Sequence, residues 1–99
     1  MTRDLCIGIA TRKDAYEIAA LENGKATGVL RFPATRLSVE AIRGFLRAHA
    51  KPVRLAVAGA AAVSLALALG DVPGCETFIV ASSIASQAPA LAHYAWHTP

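Results

Sequence analysis

Few residues in this chain combine a reactive type with a useful spacing. The stretch Leu5 to Asp14, LCIGIATRKD, comes first. An apolar run of strand length stops there at Ala10 and passes at once into Thr11, Arg12, Lys13 and Asp14. Open α/β sheets present their reacting groups at the carboxyl ends of strands. Ala10 stands where such a group belongs, and alanine offers neither charge nor lone pair. His93 and His97 lie i, i+4 in HYAWH, a spacing that sets two imidazoles on one helix face and suits zinc. No third ligand stands beside them, so no metal site is expected, and Tyr94 and Trp96 read as anchors for that segment. Cys6 and Cys75 have the spacing of neither a metal knuckle nor a redox pair, and both are expected as buried free thiols. Ser64, Ser82 and Ser83 lack a Gly-x-Ser-x-Gly setting. The turn after Ile9 has no glycine with which to cradle a phosphate. No cofactor is expected.

Positive charge is the strongest remaining lead. Residues 1–54 hold all ten Lys and Arg against five acids, a balance of +5, while residues 55–99 hold only Asp71 and Glu76, a balance of −2. Arg12, Lys13, Arg36, Arg43, Arg47 and Lys51 are the candidate nucleic-acid contacts, with Arg31 beside them, and Arg43 and Arg47 share a helix face at i, i+4. Such residues grip phosphates without reading sequence, so the affinity falls with salt. Aromatics for base stacking are scarce, since Tyr16 and Phe32 are both expected in the core. The plain alternative is that the first half supplies the solvated face and the second half most of the core.

Periodicity supplies the elements that position these residues. Asp4–Ala10 reads as a central strand with Gly8 inside it. Tyr16 to Leu21 alternates as a second strand, and Glu22-Asn23-Gly24-Lys25 is a hairpin turn. Ala26–Phe32 is a third strand, stopped by Pro33 at an edge. A helix follows, with Ser38 as its N-cap, Glu40 in its first turn, and Leu37, Ala41, Ile42, Phe45, Leu46 and His49 on its inner face. Val53–Ala58 is a strand that is almost wholly apolar, of the kind buried on both faces. Ala60–Leu69 is a buried helix ended by Gly70, Asp71–Gly74 turns the chain, and Glu76–Ala81 is a fifth strand. Ser82 or Ser83 caps a last helical stretch with Ile84, Ala88, Leu91 and Ala95 on one face and a break at Pro89.

The order βββαβαβα predicts one α/β domain over residues 1–99. It is a five-stranded mixed sheet in the order 3-2-1-4-5, with helices on its faces. Fully 55% of the residues are hydrophobic, enough to fill a core and to leave apolar area for a partner surface. The longest apolar stretch, Leu55 to Leu69, has fifteen residues, short of the ~20 needed to cross a bilayer. A soluble, cytoplasmic protein without a membrane partner is expected.

This order, together with three phrases, resembles the ribonuclease-H-like domain of DEDD-type insertion-sequence transposases, which is similar to Holliday-junction resolvases. The phrases are Gly8-Ile9-Ala10 followed by Lys13-Asp14, then Arg31-Phe32-Pro33-Ala34-Thr35, then Val57-Ala58-Gly59-Ala60-Ala61, and the resemblance spans residues 5–69. It implies an aspartate at the end of the first strand and a glutamate at the end of the fourth, which together hold two Mg²⁺ ions. Here those positions are Ala10 and Ala58. The resemblance therefore implies a vestigial site with no metal and no nuclease or strand-transfer activity. What remains is a non-catalytic domain with weak, sequence-independent nucleic-acid binding. The second reading is a small homo-oligomeric or protein-partner-binding module, and the third is residual nuclease activity through displaced acids.

Overall fold

The computed structural model describes residues 5–22, 25–26, 28–48, 52–80, 88 and 91–92. In chain order the elements are β1 (Leu5–Thr11), β2 (Ala15–Glu22), β3 (Lys25–Ala26), β4 (Leu30–Pro33), α1 (Arg36–Ala48), β5 (Val53–Gly59), α2 (Ala62–Leu69) and β6 (Cys75–Ile79). One mixed sheet runs β3-β2-β1-β5-β6, and β4 also pairs with β2. β1 is antiparallel to β2 and parallel to β5, and β5 is parallel to β6.

The third strand predicted from the sequence is interrupted. β3 pairs with Leu21 and Glu22, β4 pairs with Ala15 to Ile18, and Gly28 lies in the gap between them. A glycine inside a strand weakens it. Counted as one broken strand, β3 and β4 complete the expected five-stranded order 3-2-1-4-5. Pro33 is tolerated as the last residue of β4 because the strand pairs on one side only.

The sheet is covered differently on its two faces. On one, Leu5, Ile7 and Ile9 of β1 and Leu55 and Val57 of β5 pack against Ile42 and Leu46 of α1 and Leu65 and Leu69 of α2. On the other, Cys6, Ala10, Ala19, Leu21, Ala56 and Ala58 pack against Val80, Ala88, Leu91 and Ala92. The second face is built of small side chains, and its covering segment comes very close. A Cβ at Gly8 would run into the Ala88 carbonyl, the Ala92 nitrogen and the Leu91 side chain.

Several local expectations are corrected. Thr35, not Ser38, caps α1: its hydroxyl accepts the Ser38 N–H at 3.3 Å, and its carbonyl accepts the Val39 N–H at 3.2 Å. Ser38 is buried within the first turn, and Glu40 falls beyond that turn, which has no acid. The buried stripe of α1 is Ser38, Ile42 and Leu46, whereas Leu37 is 82% exposed and Phe45 54%. The apolar face visible in the sequence is thus wider than the sheet beneath it can cover. α2 begins at Ala62 rather than Ala60 because Gly59, at φ +109°, still belongs to the strand. Phe32 and Cys75 are half-buried rather than core, and Cys6 is buried. Among the described residues, no helix is long and apolar enough to cross a membrane. The hairpin turn at Asn23-Gly24, Ala81, Ser82, Ser83 and the histidine pair lie outside the described residues.

Candidate functional site

The two strand ends singled out by the sequence are brought together. β1 and β5 are parallel neighbours, and Ala10 and Ala58 are register partners. Both face the second, small-residue core, where they are 1% and 0% exposed beneath Leu91, Ala88 and Ala92. Nothing at either position can bind a cation or move a proton.

The polar chemistry at these strand ends belongs to the next residue. Thr11 is buried, and its hydroxyl donates to the Ala58 carbonyl at 2.9 Å while accepting the Ala61 N–H at 3.1 Å. One side chain thereby ties β1 to β5 and gives the N–H of Ala61, the residue at the N-cap of α2, an acceptor. The fit is tight, since a Cβ at Gly59 would collide with the Thr11 carbonyl and hydroxyl oxygens. In the sequence Thr11 reads as the start of the turn after Ala10, whereas it is the last residue of β1. Its visible signal is a β-branched hydroxyl next to the last apolar residue.

One carboxylate does flank the site. Glu17 is the register partner of Ala10 on β2 and shares the face of Ala19 and Leu21. It is already engaged. The Arg12 Nε and Nη2 donate to Glu17 Oε1 at 3.0 and 2.7 Å, and Arg31 Nη1 stands 3.9 Å from Oε2. Two guanidiniums on one carboxylate leave a net positive cluster, the opposite of what Mg²⁺ requires. Among the described residues, no group of three or more His, Cys, Asp or Glu is placed to hold a metal ion.

The basic candidates divide between the two ends of the sheet. Arg12, Lys13 and Arg36 lie at the end where β1 and β4 finish and α1 begins. Arg43 and Arg47 lie toward the far end of α1, and Lys51 falls outside the described residues. Eleven residues of helix separate Arg36 from Arg47, a rise of about 16 Å. Lys13, Arg36 and Arg47 are exposed. Arg43 is held by the protein itself: it donates to the Ala68 carbonyl in the last turn of α2, and its Nη1 and Nη2 reach the two Asp71 oxygens at 3.0 and 3.1 Å. That hydrogen bond and charge keep the Asp71 carboxyl below its ordinary pKa. Burial pushes the Cys75 thiol up, which leaves it protonated and unreactive at neutral pH.

A second feature was not anticipated. Between α1 and the β2–β4 side of the sheet lies an apolar cleft of about 200 Å³, walled by Ile18, Ala20, Leu30, Phe32, Ala41 and Phe45. Around it Val29, Leu30, Leu37 and Phe45 are each more than half exposed.

Compared with known proteins, the chain matches no family model and no curated protein sequence.

Proposed function

We propose that this chain is a non-catalytic, transposase-related domain of ribonuclease-H-like descent that acts through binding. The observation that carries the proposal is the adjacency of Ala10 and Ala58 under an apolar cover. A two-metal nuclease needs oxygen ligands at just this pair of strand ends. Here the pair is alanine, and the neighbouring Glu17 is bound by arginines. The remaining function is weak, sequence-independent contact with nucleic-acid phosphates through Lys13, Arg36 and Arg47, in a reducing, cytoplasmic compartment that suits the free thiols. Arg43 takes no part, because it is committed to Asp71 and Ala68.

Two measurements test this. In a Mg²⁺ titration followed by backbone NMR, the amides of Ala10, Glu17 and Ala58 should stay in place at millimolar metal, and specific saturable shifts there would restore the nuclease reading. In gel retardation, a DNA duplex should be slowed at low salt and released at moderate salt. The Lys13→Glu, Arg36→Glu variant should weaken the complex, whereas retardation unaffected by salt or by that variant overturns phosphate binding.

A second reading, a protein-partner module, is favoured by a separate observation. Val29, Leu30, Leu37, Phe45, Val63, Leu67 and Ile79 all stand at least half exposed, on a chain whose α2 is apolar at every position but Ser64. The partner need not be nucleic acid.

A further inference from the structure

Resting on that second reading, we infer that the outward face of α1 is a self-complementary surface and that its partner is a second copy of this chain. The inner stripe of α1 is Ser38, Ile42 and Leu46. Helical periodicity sets Leu37, Gly44 and Ala48 on an outward stripe that borders Glu40 and Arg47 on one side and reaches Ala41, at the rim of the cleft, on the other, and Leu37, Ala41, Gly44 and Ala48 are all exposed. Phe45 extends this surface toward the apolar cleft, where Leu30 and Val29 continue it. A water-facing helix is expected to be polar there. Gly44 adds a second anomaly. It sits in mid-helix, where glycine is less favourable than alanine, yet a Cβ at that position would meet nothing within 4 Å among the described residues. Its smallness answers no need among those residues, whereas a close helix–helix crossing would use it.

Charge selects the occupant. Glu40 and Arg47 flank the same side of this outward stripe, seven residues apart and centred within a residue of Gly44. Both are exposed, and neither forms an ion pair with the described residues, although the Arg47 charge contributes to the lowered pKa of Asp71. A two-fold axis normal to a pair of antiparallel α1 helices reverses one helix against the other and keeps matching flanks on the same side. Glu40 of each copy then meets Arg47 of the other, twice over. Such a surface is its own complement, as an isologous contact requires. The exposed parts of Leu37, Phe45, Leu30 and Val29 supply on the order of 400 Å² per copy, about half of the ~800 Å² in a standard interface. The association is accordingly a weak one.

Sedimentation velocity or light scattering from about 20 μM to about 1 mM, a range that spans the weak affinities expected of an interface below standard size, should show the mass rising toward twice that of one chain. Glu40→Arg and Arg47→Glu should each weaken the dimer by roughly 3- to 10-fold through like-charge contact. The double exchange Glu40→Arg, Arg47→Glu should restore it, a rescue that a purely structural role for either residue would not produce. A chain that stays monomeric to the highest concentration overturns the proposal together with self-association as a function. A dimer that is indifferent to both single reversals and lost in Val63→Glu, Leu67→Glu places the contact on α2, which overturns the proposal and leaves the partner-module reading standing.

Discussion

Ala10→Asp is the most direct probe of whether the paired strand ends are sealed. At 1% exposure, beside Ala58 at 0% and under Leu91, the introduced carboxyl is cut off from solvent, and the nearest guanidiniums, those of Arg12 and Arg31, are already engaged by Glu17. Full burial raises carboxyl pKa values by roughly 3–5 units. The unfolded chain titrates near 3.9 and each unit is worth about 1.4 kcal/mol, so keeping the group charged, or protonating it, costs about 4 kcal/mol at pH 7. Forcing three extra heavy atoms into a filled space adds about 1–3 kcal/mol. Domains of this size are stable by only about 5–15 kcal/mol, so the variant should be close to unfolding at neutral pH. The sign of the pH dependence follows from linkage: between the unfolded and folded pKa values the native state binds more protons, so the deficit grows as pH rises and vanishes below about 4. Urea unfolding of the wild type, Ala10→Asp and the neutral steric control Ala10→Asn, at pH 7 and pH 4, measures it. The electrostatic part should appear only in Ala10→Asp and only at pH 7. A deficit under about 1 kcal/mol at pH 7, or one equal at both pH values, would refute the reasoning, because water or a cation would then reach Ala10.

Thr11→Val keeps the shape and removes the hydroxyl that joins Ala58 to Ala61. It removes one hydrogen bond from the buried Ala58 carbonyl and takes the acceptor from the Ala61 N–H, and should cost about 1–3 kcal/mol in urea unfolding. Gly59→Ala should cost more than Thr11→Val by the same assay, since it adds a positive-φ penalty to a collision with Thr11. Asp71 should titrate below the ordinary value of 3.8 in an NMR pH series and return toward it in Arg43→Gln. Because its folded pKa is depressed, its contribution to stability is present above the unfolded value and is lost as pH falls through the folded one.

The sheet order was legible because each central strand carries its own signal. Leu5–Ala10 and, apart from Arg54, Val53–Ala58 carry apolar or small residues on both faces, and the meander before α1 leaves a right-handed crossover as the only short route. The adjacency of Ala10 and Ala58 followed from that order alone. What escaped the sequence depends on partners distant along the chain. Arg43 and Asp71 are separated by 28 positions, and no local pattern reveals that one of the basic candidates is occupied. Glu17 comes beside Ala10 only once the β1–β2 register is known. Leu37 and Phe45 misled because periodicity reports which face is apolar, whereas the extent of the sheet under α1 decides how much of that face is hidden.

Gly8 has a consequence for how the chain comes together. It lies on the first strand, and its side-chain space is taken by backbone atoms of residues 88 and 92, near the opposite end of the sequence. A growing polypeptide released before residue 88 would have the sheet and α1 in hand but one flank of its middle strands bare. Closure of that flank is the slow part of maturation, because the seal joins points about eighty residues apart. Prematurely terminated products should cling to one another through the uncovered Cys6–Ala10 strip rather than persist as smaller folded units.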